Sequence, residues 1–147
     1  MGDNMDFVFL TEKFYSDYIL CTEIEKKIER PYTMFKIKID EIEFAIPLRS
    51  HINHDHVLWT DKINNCGLDF SKTIIITNPN YINTSEVPHI RENEYRCLIG
   101  KEYIIKTKLI SYIKDYKKAL LHNHIHKNAI LCGYSTLQYF HTELGIK

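Results

Sequence analysis

An α+β fold with a mainly antiparallel sheet is what this sequence predicts. Strand-like stretches fill its first half, helical periodicities gather in its second, and one hairpin joins two successive strands directly. The chain has 147 residues, 44% of them hydrophobic, enough for one domain with a real core. No linker, repeat or low-complexity tract divides it, so a single domain over residues 1–147 is expected.

Asp6 to Leu10 reads as a short opening strand. Thr11 then offers a capping hydroxyl, and Glu12 suits the positive end of a helix. Phe14, Tyr15, Tyr18 and Ile19 form that helix's apolar face, with Glu23 to Glu29 as its charged end. Pro31 stops it by disfavouring helical backbone at Arg30. Tyr32 to Ile39 alternates as a strand, Asp40-Glu41 turns, and Ile42 to Leu48 returns. Val57 to Thr60 is a further short strand, and Asn64 to Gly67 is a turn. Thr73 to Thr77 is a β-branched run that reads as a central strand. Asn78 to Pro88 is loop with room for an edge strand at Tyr81-Ile82. One long helix is predicted from Glu94 to Leu121, with Leu98, Ile105, Leu109, Ile113, Tyr116 and Leu120 as its core stripe. Ser135 to Gln138 has capping-box spacing and opens a last short helix that stops at Gly145.

Net charge is zero, but between Arg91 and Lys127 nine Lys or Arg face four acids, which builds one basic region on a neutral protein. The four cysteines lie far apart without a paired motif, as expected of buried thiols rather than disulfides or a zinc site. No signal-like or bilayer-length apolar segment is present, so a soluble, cytoplasmic protein with no membrane partner is expected.

Chemistry concentrates where the second hairpin strand ends. Pro47-Leu48-Arg49-Ser50-His51 is followed by His54-Asp55-His56, which puts a guanidinium, a hydroxyl and three imidazoles at one strand exit. Arginine matches a phosphate's geometry, histidine moves protons near neutral pH, and serine can hydrogen-bond a phosphate or a 2′-hydroxyl. Three readings stand open: metal-independent RNA cleavage, a hydrolase holding metal on His51, His54 and His56, and RNA binding without catalysis. The histidine spacing matches no zinc motif, and nothing calls for a cofactor. His122, His124 and His126 follow the long helix and suit its negative end. Tyr15 and Trp59 are candidate stacking platforms for bases, and Lys101, Lys108, Lys114 and Lys118 candidate phosphate contacts.

Four blocks together resemble the endoribonuclease toxins of type III toxin–antitoxin systems, the ToxN/AbiQ family, and most closely its CptN-like branch. They are Phe7 to Thr11 with Phe14-Tyr15; Ile46 to His51; Gly67-Leu68-Asp69 leading into Thr73 to Ile76; and Tyr95-Arg96 with the helix to Leu121. The resemblance implies a compact, strongly curved antiparallel sheet with flanking helices, similar to the MazF/Kid toxin fold. It implies cleavage of cellular or phage RNA to 2′,3′-cyclic phosphate ends, in the manner of abortive-infection toxins. It also implies inhibition by a small repetitive pseudoknot RNA, which the toxin processes and holds in a closed protein–RNA assembly. Carried over by position, Ser50 matches the motif serine, Arg49 stands where founding members have threonine, and Arg30 where they have an active-site lysine. Phe14 replaces their tyrosine, with Tyr15 beside it. A catalytic role for His51 is a chemical inference and not an inheritance. The expected catalytic set is Ser50, Arg49, His51 and Arg30.

Overall fold

A computed structural model describes residues 5–26 and 32–146. The order is β1 (Phe7–Leu10), α1 (Glu12–Asp17), β2 (Met34–Ile39), β3 (Ile42–Arg49), β4 (Val57–Asp61), β5 (Cys66–Asp69), β6 (Ile74–Ile75), β7 (Ile82–Asn83), α2 (Glu92–Leu98), α3 (Glu102–Leu121) and α4 (His126–Tyr134). Every pairing is antiparallel, and the sheet runs β4-β5-β3-β2-β1-β7, with β6 on β3.

The β2–β3 hairpin organises the sheet. Asp40 and Glu41 both adopt positive φ, 50° and 69°, the twist that a tight hairpin turn demands, and this sets the register Ile39↔Ile42 through Met34↔Pro47. On its other side β3 pairs first with β6 and then, at Leu48 and Arg49, with β5. Pro47 has no N–H to give the ladder, yet the strand runs on to Arg49. Phe14, Phe35, Phe44 and Phe140 are all fully or almost fully buried between sheet and helices, each worth about 1.5–3 kcal/mol of apolar burial.

The expected strong curvature is overturned. The sheet is neither closed nor strongly curled: β4 and β7 remain separate edges at its two ends. Curling needs long strands bent by bulges or glycines. Here β6 and β7 are two residues long, β1 and β5 four, and among the described residues the sheet pairing slips only between Trp59 and Asp61.

Other elements shift for local reasons. The first helix ends at Asp17, and Tyr18 to Ile24 folds as successive turns, so Glu23 to Lys26 is not a helix end; the rest of the acidic stretch and the expected stop at Pro31 lie outside the described residues. The β-branched run is no central strand; only Ile74 and Ile75 pair, against Phe44 and Ala45. The long helix is two helices, broken where Gly100 takes φ 76°. Tyr112 and Ala119 join Leu98, Ile105, Leu109 and Tyr116 on the buried face, while Ile113 and Leu120 are half-buried. Ser135 caps a 3₁₀ turn over Thr136–Tyr139, and α4, which periodicity did not reveal, packs against α3.

Candidate functional site

Strand pairing delivers the site. The Arg49↔Gly67 register places Asp69 at the end of β5 within reach of the Arg49 guanidinium. Arg49 Nη1 donates to Asp69 Oδ2 at 2.5 Å, and Nη2 donates to Glu25 Oε1 at 2.8 Å. Asp69 is wholly buried and also accepts from the Ser71 amide (3.0 Å) and hydroxyl (2.6 Å). Burial opposes its charge, but the hydrogen bonds from His54, Ser71 and Arg49 win and hold its carboxyl below the usual range. Burial likewise opposes the charge on Arg49, and Asp69 more than restores it.

His54 folds inward onto this pair. Its Nδ1 accepts the His56 backbone N–H at 3.0 Å, which assigns the proton to Nε2. Nε2 then lies 3.2 Å from both Ser71 Oγ and Asp69 Oδ1. With both ring nitrogens engaged, His54 has no lone pair for a metal. Among the described residues, no three His, Cys, Asp or Glu side chains group as a metal site.

Lys72 completes the cluster. It is 6% exposed, and its Nζ donates to the carbonyls of Glu23 (3.0 Å) and Tyr134 (3.1 Å) while lying 3.7 Å from the centre of the Tyr134 ring. Burial, helped by the charge of Arg49, lowers its pKa. From Tyr134 a row of rings leads away: Tyr134 to His54 at 5.8 Å, His54 to His56 at 5.6 Å, and His56 to Tyr112 at 5.3 Å. Burial and the neighbouring His54 push the His56 pKa down. His56 also lines an open groove of about 510 Å³ between α3 and α4, with Asp115, Lys118 and Lys127. A smaller recess beside it is lined by His56, Asp55 and Lys108.

No family model matches this chain, and no curated protein or solved structure matches it. The family likeness is therefore carried by the four sequence blocks alone.

The sequence-derived residues divide between several places. Ser50 and His51 are exposed at the bend after β3, His51 in the left-handed region at φ 57°. The Arg49 side chain is held in the Asp69 cluster. Arg30 lies outside the described residues. Tyr15 is core, 4% exposed, its hydroxyl pushed up to about 12 by burial. Trp59 is half-buried on the edge strand β4 with Lys62 Nζ 4.5 Å from its ring centre. Lys108 and Lys118 border the His56 recesses; Lys114 is exposed elsewhere on α3, and Lys101 precedes that helix. Sequence reasoning assigned no role to Glu25, Ser71, Lys72 or Tyr134, and used Asp69 only as part of a block. One signal was available: Asp69 and Lys72 are the two charges in the otherwise uncharged stretch from Gly67 to Ile76. No helix among the described residues is long and apolar enough to cross a membrane.

Proposed function

We propose that this protein is a metal-independent endoribonuclease toxin of the type III class, restrained by a small repetitive RNA. The observation that carries the reading is the unbroken row from the Arg49–Lys72 cations through the Tyr134, His54 and His56 rings to the lysine-bordered groove. Cations for phosphates at both ends of a run of flat rings for bases suit an unpaired RNA strand better than a small metabolite. At the β3 exit the 2′-oxygen of one nucleotide attacks the adjacent phosphorus and expels the 5′-oxygen of the next. His51 handles a proton in that exchange, Ser50 holds the phosphate or the 2′-hydroxyl, and Arg49 counters the charge on the pentacoordinate phosphorus. The four sequence blocks support the same chemistry.

One observation favours a second reading, RNA binding without cleavage: Arg49 already spends its guanidinium on two carboxylates. Incubation with RNA in EDTA separates the two. Cyclic-phosphate ends are expected; intact RNA with retained binding would replace the nuclease by a binding module, and cleavage abolished by EDTA would point to a metal-dependent enzyme.

A further inference from the structure

We infer that Arg49 and Lys72 form a binding site for a backbone phosphodiester of single-stranded RNA, covered by the turn of residues 21–26, whose Glu25 carboxylate stands in the phosphate's place. The inference rests on the proposed RNA-cleaving reading and adds to it a second cation and an occupant that must leave.

The turn holds both cations at once. Its Glu25 carboxylate accepts from Arg49 Nη2, and its Glu23 carbonyl accepts from Lys72 Nζ. Beneath them Asp69 supplies one buried negative charge for two positive ones, so Glu25 provides the second. Glu25 is the replaceable member: its side chain is 36% exposed, against none of Asp69. A phosphodiester carries the same single charge as the carboxylate, so the exchange leaves the net charge of the cluster unchanged.

Arg49 also retains an unused donor. Its Nε is buried and has no hydrogen-bond partner among the described residues. A buried donor without an acceptor costs free energy, and a phosphate oxygen would satisfy it. Glu25 is seated on Arg49 Nη2, and the two cations are largely covered, Lys72 6% and the Arg49 side chain 15% exposed. Entry therefore requires the turn to lift. It is braced to move as a unit, since Lys26 Nζ donates to the carbonyls of Cys21 (2.5 Å) and Ile24 (3.0 Å). It is latched from outside by the Tyr139 hydroxyl on the Glu23 carboxylate.

The test uses the full chain, a 2′-O-methylated single-stranded RNA that cannot be cut, and inorganic phosphate followed through the Arg49 Nε–H resonance. Glu25→Gln is expected to tighten RNA binding about fivefold, the equivalent of losing one partly exposed competing ion pair. Tyr139→Phe should tighten it less, and adding Lys72→Gln to Glu25→Gln should cancel the gain. Phosphate should shift the Arg49 Nε–H at lower concentration in Glu25→Gln than in the parent. Unchanged RNA affinity in Glu25→Gln together with an Arg49 resonance indifferent to phosphate overturns the inference. A responsive Arg49 in a protein that cuts no RNA keeps the phosphate site and ends the nuclease reading. Cleavage with an unresponsive Arg49 ends the site alone.

Discussion

Arg49 and Asp69, twenty positions apart, meet at 2.5 Å because β3 and β5 pair antiparallel with Arg49 opposite Gly67, two residues before Asp69. The carboxylate is fully buried and the Arg49 side chain is 15% exposed, so the pair is largely withdrawn from water.

Removing one partner should therefore be costly. Asp69→Asn is expected to lose about 3 kcal/mol of stability, read from the urea midpoint, since it strands a buried cation. The folded pKa of Asp69 lies below its unfolded value. Its contribution is thus fully present above the unfolded value near ~3.9 and is lost as pH falls through the folded one. Asp69→Asn should flatten that acid limb, and an unchanged limb would remove Asp69 as its source.

A different window belongs to His56. Burial lowers its folded pKa, so the unfolded chain binds the extra proton first. Stability from this residue is whole above about pH 6.5 and declines as pH falls below it. His56→Asn should narrow the difference in urea midpoint between pH 7.5 and pH 5.5.

Ser50 and His51 are both exposed, so their replacement by alanine should spare the fold. Under the proposed chemistry each substitution lowers RNA cleavage in EDTA by roughly 10²–10⁴-fold. Two fully active variants would refute the assignment.

Lysines on one helix should behave unequally toward RNA. Lys108 and Lys118 border the His56 recesses, whereas Lys114, one helical turn before Lys118 on α3, lines neither of them. Replacing either groove lysine by Gln should reduce the slope of log affinity against log salt by about 0.7, the value for one single-strand phosphate contact. Lys114→Gln should leave the slope unchanged; equal effects at all three would mean the strand does not follow the groove.

Gly67→Ala tests the register directly. A Cβ at Gly67 would run into the Leu58 carbonyl oxygen and crowd the Val57 side chain at 2.9 Å, in the strand pair that supports Arg49. A loss of about 2 kcal/mol is expected from such overpacking, seen as a lowered melting temperature.

What was legible in the sequence was what short-range chemistry decides. The helix expected to run to Gly145 is a 3₁₀ turn that ends at Tyr139, but the hairpin at Asp40-Glu41 and the Thr11 and Ser135 caps follow from neighbouring residues. The shape of the sheet does not, because it depends on where short strands such as Ile74–Ile75 find partners far along the chain. The site divides the same way. Arg49, Ser50 and His51 share a visible motif, whereas Glu25, Lys72 and Tyr134 reach the cluster only through packing. The likeness directed attention to the β3 exit, while its fold corollary failed on strand length.

β3 is bonded to β2 along one flank and to β6 and β5 along the other, and its final residue is Arg49. A strand enclosed on both sides opens to solvent last, so its amides should be among the slowest to exchange with deuterium. The guanidinium is thus anchored to the most persistent part of the molecule, while its carboxylate cover sits on an irregular turn. Under the inferred exchange, lifting that turn uncovers the cation while the sheet stays paired.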